Sequence, residues 1–215
     1  GTTRIGEGFL ATVSPEWQSA EAGDFNGDGY ADILWRHSSG QNYMWLMNGT
    51  SKSGEAQLPT VSPDWQLAGA GDYNGDGHAD ILWRHTSGTT YLWLMNGIQI
   101  LVGGQVGTTE SDWQIVGSGD YNGDSRADIL WRHSSGTTYM WLMNGVQIMA
   151  GGQVGTADPT RQIVGSGDYD GDGRADILCW YSSGTTSMWL MNGTAIIGGG
   201  QVGTVDPAWQ IVYAR

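Results

Sequence analysis

A single cysteine, a single lysine, five prolines and two phenylalanines are all that the 215 residues contain of those types. Lone Cys179 excludes an internal disulfide framework and any zinc cluster built on thiolates. Only 9 residues are basic against 22 acidic, a formal net charge of −13, so nucleic acid and anionic membrane are poor partners. No apolar run approaches the roughly 20 residues that a membrane-spanning helix needs, and membrane insertion is not expected. The first residues do not run from basic to apolar as a signal peptide does, so a soluble, already processed chain is expected. What the sequence does have is 36 glycines and 12 tryptophans. Glycine at that density argues against long helices, since each costs about 1 kcal/mol relative to alanine inside one, while the aromatic content argues against disorder.

One phrase returns every 48 residues: Asp24-Phe-Asn-Gly-Asp-Gly-Tyr-Ala-Asp32, then Asp72 to Asp80, Asp120 to Asp128 and Asp168 to Asp176. Three carboxylates fall in each of the first three copies and four in the last, so 13 of the 22 acidic residues crowd into four short loops. Like charges at that density repel unless a hard cation is bound. Oxygen side chains at positions 1, 3 and 5, glycine at 6 and a carbonyl at 7 match the first half of an EF-hand calcium loop. The second half does not match: position 12 is Trp35, Trp83, Trp131 or Cys179 in a strand-like stretch, so Asp at position 9 is left to close the shell. An Asx-rich turn that binds nothing is the alternative.

Other phrases keep the same phase. Trp-Gln stands at 17, 65, 113 and 209, and Trp-Leu-Met-Asn-Gly begins at 45, 93, 141 and 189. In the third copy the alternation predicts strands over Trp113–Ser118, Ala127–His133, Thr137–Met143 and Gln147–Val154, with Ile129, Trp131 and His133 sharing one face. Asn144-Gly145 reads as a hairpin turn. Four-stranded units repeated at this period predict an all-β fold, a β-propeller of 48-residue blades forming one domain over 1–215. Gly117, Ser118 and Gly119 suit the strand nearest the crowded axis; a β-sandwich would not explain the period. Four repeats leave 23 residues over, and Gly193–Arg215 repeats the register of Gly1–Gly23. An incomplete fifth blade or completion by another subunit is expected, with a homodimer the first choice.

The Asp-x-Asn-x-Asp-Gly-x-x-Asp loops, preceded by Gly and followed by Ile-Leu, resemble FG-GAP or VCBS repeats over nearly the whole chain. Such repeats build integrin α-subunit propellers, occur in secreted bacterial proteins, and are similar to those of propeller lectins of the Psathyrella velutina lectin group. The resemblance implies about four calcium ions per chain. Position by position it assigns them Asp24, Asn26, Asp28, the carbonyl of Tyr30, and Asp32; then Asp72, Asn74, Asp76, His78 and Asp80; Asp120, Asn122, Asp124, Arg126 and Asp128; and Asp168, Asp170, Asp172, Arg174 and Asp176. Two departures are visible: Ser125 replaces the loop glycine in the third copy, and Asp170 replaces Asn in the fourth.

No catalytic constellation is found. Gly6-Glu-Gly8 formally opens a dinucleotide fingerprint, but no helix follows; Cys179 takes a strand position held elsewhere by Trp; the sequons at Asn48 and Asn192 are already explained as turns. A non-enzyme is expected. The remaining recurrent cluster is Trp35, Arg36, His37 and Tyr43, returning as Trp83, Arg84, His85, Tyr91 and as Trp131, Arg132, His133, Tyr139, with Trp45, Trp93 and Trp141 nearby. Aromatic faces beside directional donors suit a sugar, which offers a C–H face and a rim of hydroxyls, although Trp between blades is equally ordinary core. The fourth copy carries Cys179, Trp180, Tyr181 and Ser187 instead. The sequence is therefore expected to encode a secreted, calcium-stabilised, multivalent lectin-like module for glycans. A structural or integrin-like adhesion propeller, or a non-catalytic domain of a larger secreted enzyme, are the other readings.

Overall fold

A computed structural model describes residues 12–156, 158, 160–206 and 208. Residues 1–11 and 209–215, which carry part of the 23-residue overlap together with Gly6-Glu-Gly8 and the last Trp-Gln, lie outside the described residues.

Among the described residues, sixteen strands form four antiparallel sheets of four strands, each sheet a meander of consecutive strands. The first blade contains β1 (Trp17–Gly23), β2 (Asp32–His37), β3 (Asn42–Asn48) and β4 (Ser51–Leu58); the second β5 (Trp65–Gly71), β6 (Asp80–His85), β7 (Thr89–Asn96) and β8 (Gln99–Thr108). The third has β9 (Trp113–Gly119), β10 (Asp128–His133), β11 (Thr137–Asn144) and β12 (Gln147–Thr156), and the fourth β13 (Arg161–Gly167), β14 (Asp176–Tyr181), β15 (Thr185–Asn192) and β16 (Ala195–Thr204). The third-copy strands expected from alternation agree with β9 to β12 within two residues at each end. Residues 195–204 complete the fourth blade by pairing with β15, so all four described blades are whole.

The blades follow one another through their first strands, which contact in the succession β1, β5, β9, β13. Each blade therefore has an outgoing face, toward the next blade, and an incoming face. Period-2 alternation sorts the residues between them. Phe25, Leu34 and Met44 leave the first blade and bury against Ala79, Ile81, Trp83 and Met95 of the second. Tyr73, Leu82, Leu92 and Leu94 meet Ala127, Ile129, Trp131 and Met143. Tyr121, Leu130 and Met140 meet Ala175, Ile177, Cys179 and Met191. The core is thus three repeated joints between sheets, the packing of a β-propeller.

The first strand must be thin because the next blade presses into it. A methyl placed on Gly23, Gly71 or Gly119 would come within 2.8, 2.9 or 2.7 Å of the Cβ of Ala79, Ala127 or Ala175. In the outer hairpins, Asn144 pairs with Gln147, so Gly145 and Val146 form the turn. Gly145 has φ 57°, the pattern of a II′ turn, in which glycine takes the first central position.

Candidate metal loops and inter-blade clefts

The four acidic loops connect the first two strands of each blade. In the first, Asp24 Oδ1 accepts from the Asp28 N–H at 3.1 Å and Asp24 Oδ2 from the Gly29 N–H at 2.7 Å. Asn26 Oδ1 accepts from the Asp28 N–H at 3.0 Å, and Asp28 Oδ1 accepts from the Tyr30 N–H at 2.9 Å. The same bonds recur at Asp72, Asp120 and Asp168. Each carboxylate is thereby fixed by backbone N–H groups, which curl the chain around its own acids.

Position 9 does a second job. Asp32 Oδ2 accepts from the Phe25 N–H at 2.9 Å while its Oδ1 accepts from the Met47 N–H at 2.8 Å. Asp80, Asp128 and Asp176 do the same for Tyr73 and Met95, Tyr121 and Met143, and Tyr169 and Met191. One buried carboxylate thus staples the loop to the end of the third strand. Burial pushes Asp80 and Asp128 up to about 7 despite these donors, with the neighbouring loop carboxylates adding to the rise; Asp32 is raised for the same reason.

The loops share one edge of the molecule and are stitched together. The Ala79, Ala127 and Ala175 N–H groups donate to the Asp24, Asp72 and Asp120 carbonyls of the preceding loop at 2.7, 2.6 and 2.6 Å. Side chains at position 7 lie at the glycine at position 4 of the preceding loop: the His78 ring at Gly27, Arg126 at Gly75, Arg174 at Gly123. They also pair within their own loops, His78 Nδ1 with Asp76 at 3.2 Å, Arg126 with Asp124 at 3.3 Å and Arg174 with Asp172 at 2.6 Å; the first loop has Tyr30 there. The donor set is all oxygen, as a hard divalent cation requires. In the fourth loop Asp168, Asp170 and Asp176 bring carboxylate oxygens within 4.8 Å of one another, so these residues fit a cation. Ser125 adopts φ 66°, alone among the described non-glycine residues in being left-handed. Gly29, Gly77 and Gly173 hold the matching place at φ 85°, 86° and 85°.

The expected Trp, Arg, His and Tyr cluster divides between two faces. Trp83 and Trp131 are 1% exposed and belong to the joints, where no ligand reaches them; this corrects their place among the ligand groups. Trp35, on the incoming face of the first blade, is half-buried and meets Trp45 at 4.9 Å. Neighbours in sequence point to opposite faces, so Arg36 leaves on the outgoing side. Its Nη1 donates to Asn42 Oδ1 at 2.9 Å, its Nη2 to the carbonyls of Ser62 and Trp65 at 3.2 and 2.9 Å, and its guanidinium lies 5.0 Å from the Trp83 ring. Arg84 repeats this with Gly88, Thr109 and the Trp131 ring at 4.9 Å. Arg132 donates to the Asp158 carbonyl at 3.1 Å. The arginines, expected to face a ligand, are largely committed to holding one blade to the next.

His37, His85 and His133 remain at the edge. The Ser39 N–H donates to His37 Nδ1 at 3.1 Å; a backbone N–H can only donate, so the neutral ring carries its proton on Nε2. The same bond holds His85 and His133. Trp17 packs beside His37 and Tyr43 at 5.0 and 6.3 Å, and Trp65 and Trp113 repeat the trio with His85 and Tyr91 and with His133 and Tyr139. A cleft of about 440 Å³ opens between the first two blades, lined by Glu16, Gln18, Arg36, His37, Trp65 and Gln66 among others. Trp65 was missed by the sequence reading, and so was its counterpart Arg161. The missing signal was the Trp-Gln phrase itself, which is broken at 161. In the fourth blade Arg161 donates to Ser187 Oγ at 3.0 Å and lies 4.1 Å from the Trp189 ring. A second cleft of about 530 Å³ opens there, lined by Arg161, Tyr181, Ser187 and Trp189.

Repeated sheets, thin inner strands and acidic loops on one edge define a β-propeller with a row of candidate metal loops. A family profile described as an FG-GAP-like repeat matches residues 24–83, 72–131 and 120–179, and the chain belongs to that family. No curated protein matches it significantly. Among solved structures it is similar to the computationally designed Ika8 protein (9% identity, 79% of this chain and 46% of that one, TM-score 0.43). It is also similar to BBS1N crystallised with ARL6DN (14%, 86% and 55%, 0.46) and to the C-terminal WD40 domain of Sif2 (13%, 85% and 57%, 0.42). The chain spans about half the length of these structures.

Proposed function

We propose that this propeller is a calcium-stabilised extracellular binding module whose inter-blade clefts take carbohydrate, and that binding rather than catalysis is its role. The observation that carries the reading is the cleft between the first two blades. It combines an aromatic wall, Trp65, with the polar residues His37, Gln18, Gln66 and Glu16. An apolar sugar face and its hydroxyl rim match that combination. The arginines form the floor and keep the two walls at a fixed spacing. Calcium belongs to the same proposal: it relieves the repulsion among 13 loop carboxylates and so sets the blades that frame the clefts. Each cleft offers one ring and a few hydrogen bonds, so single-site affinity is weak and repetition supplies avidity.

The test is glycan array screening followed by calorimetric titration in calcium buffer, on the wild type and on a His37→Ala, His85→Ala double variant. Loss of binding with an unchanged melting temperature supports the clefts. Undiminished binding in the folded double variant moves the site elsewhere. Failure to bind any glycan favours the structural or protein-adhesion reading.

A further inference from the structure

Three joints inside the chain are made of one set of contacts, and among the described residues the same set is left unmade at both ends. At each internal joint the incoming blade supplies two N–H donors. Ala79, Ala127 and Ala175 donate to the position-1 carbonyl of the preceding loop, and Gly97, Gly145 and Gly193 donate to the carbonyls of Phe25, Tyr73 and Tyr121 at 2.6, 2.7 and 2.7 Å. The outgoing blade supplies a glycine notch for the alanine methyl, and an aromatic ring, Phe25, Tyr73 or Tyr121, that is 0% exposed once covered.

The fourth blade offers the outgoing half of this set with no described residue packed on it. Tyr169, the counterpart of those buried rings, is 47% exposed, and Val202 is 63% exposed where Val106 and Val154 are packed. Leu178, Met188 and Leu190 are half-buried where Leu82, Leu92 and Leu94 are buried. Gly167 is the notch, and the nearest described atom to a methyl there is its own Tyr169 ring at 3.8 Å. Among the described residues no backbone N–H donates to the carbonyls of Asp168 or Tyr169.

The first blade offers the incoming half. Ala31 and Gly49 hold the places of the two donors; Ala31 is exposed, and Ile33 and Trp35 are half-buried where Ile81 and Trp83 are 0% and 1% exposed. Tyr30 at position 7 is 48% exposed. Among the described residues these two end faces are therefore not packed on each other, although each is the complement of the other.

We propose that the outgoing face of the fourth blade docks the incoming face of the first blade of a second copy, continuing the joint that the chain already makes three times. The contact is head to tail. Propellers close with about 4–8 blades, so two four-blade copies complete a ring of eight in which the second joint satisfies the remaining pair of faces. A heterologous contact that failed to close in this way would instead add copies without limit.

The experiment is light scattering and sedimentation on the full chain with calcium, for wild type, Gly167→Ala, and Gly167→Ala combined with Ala31→Gly. The wild type is expected at twice the chain mass. Gly167→Ala leaves room within its own chain but sets a methyl against Ala31 of the second copy, as the 2.7–2.9 Å approaches at the internal notches show; it is expected to halve the mass with an unchanged circular dichroism spectrum. Ala31→Gly removes the opposing methyl and should restore the doubled mass, which a merely misfolded variant would not do. A wild type monomeric at every concentration, a dimer indifferent to Gly167→Ala, or a mass that climbs steadily with concentration would each overturn the closed two-copy arrangement.

Discussion

Substituting Gly119 by alanine tests the account of the joints directly. The added methyl would stand 2.7 Å from the Ala175 Cβ, about 1 Å inside the ordinary carbon–carbon contact of about 3.5–4.0 Å. Neither partner is a flexible side-chain end, so the blades must part. Overpacking of this kind costs about 1–3 kcal/mol. Against it, glycine to alanine stabilises by about 0.4–1 kcal/mol through the unfolded chain. The net loss is therefore about 1–2 kcal/mol, a fall in melting temperature of about 2–8 °C for a chain of this size.

Ala175→Gly alone deletes a methyl from a residue 8% exposed, costing about 0.8 kcal/mol of burial and a further fraction for backbone freedom. Combining both moves one methyl across the joint. The double variant should melt well above the sum of the single losses, with a coupling of about 1 kcal/mol or more in a double-mutant cycle. Thermal or denaturant unfolding followed by tryptophan fluorescence supplies the numbers. Strict additivity would mean that the two residues do not meet, and the notch would then be an error of reasoning.

Chelation is expected to lower the melting temperature: at a calcium concentration 10–100 times the dissociation constant, each site contributes about 1.4–2.7 kcal/mol, and a melting curve indifferent to EDTA in verified metal-free protein would remove calcium from the proposal. Ser125→Gly should raise stability by about 0.5–1 kcal/mol, since relief of the left-handed strain at φ 66° exceeds the added freedom of the unfolded chain; an unchanged or lower melting temperature contradicts this. In EDTA, Asp80 and Asp128 have folded values near 7, above their unfolded values. The stability they contribute is complete below about pH 4 and lost as the pH rises through about 7, so melting scans should show less stability at pH 8 than at pH 5, and calcium should flatten the trend. A metal-free protein that gains stability from pH 5 to pH 8 would refute the assignment.

The blades and their loops were legible because two periods coincide. The 48-residue spacing sets the phrase, and within it period-2 alternation puts Ile129, Trp131 and His133 on one face, as found. The thin strand at Gly117 to Gly119 was legible from residue size. The direction of Arg36 was also available, because it alternates with Trp35 and His37, yet adjacency in the chain suggested a cluster that alternation forbids. The double duty of Asp32 was not available, since its second bond reaches Met47 fifteen residues on. The aromatic wall at Trp65 depends on which blade follows which, a fact of tertiary order that a motif 28 residues after His37 does not announce.

The fourth copy shows what this ordering implies for ligand count. Its departures look like a single lost site in sequence, but they fall on separate faces. Cys179 is the fully buried residue where Arg36 and Arg84 find Trp83 and Trp131, so Arg132 arrives without a ring and leaves Nη1 unpartnered. That change is repacking of a joint. Trp180 stands in the arginine's place on the outgoing face, and Arg161 replaces the indole of the Trp, His, Tyr trio. The cleft between the first two blades has Trp65 as its aromatic wall, with His85 beside that ring at 4.8 Å; between the second and third blades Trp113 and His133 hold the matching places, whereas between the third and fourth the place of the indole is taken by Arg161. Two clefts are then alike and the third presents a guanidinium where the others present an indole. Calorimetry with a neutral glycan should accordingly count two equal sites per chain, and Arg161→Trp should add a third. A count of three equal sites in the wild type would place the ligand on the trio within each blade instead of between blades.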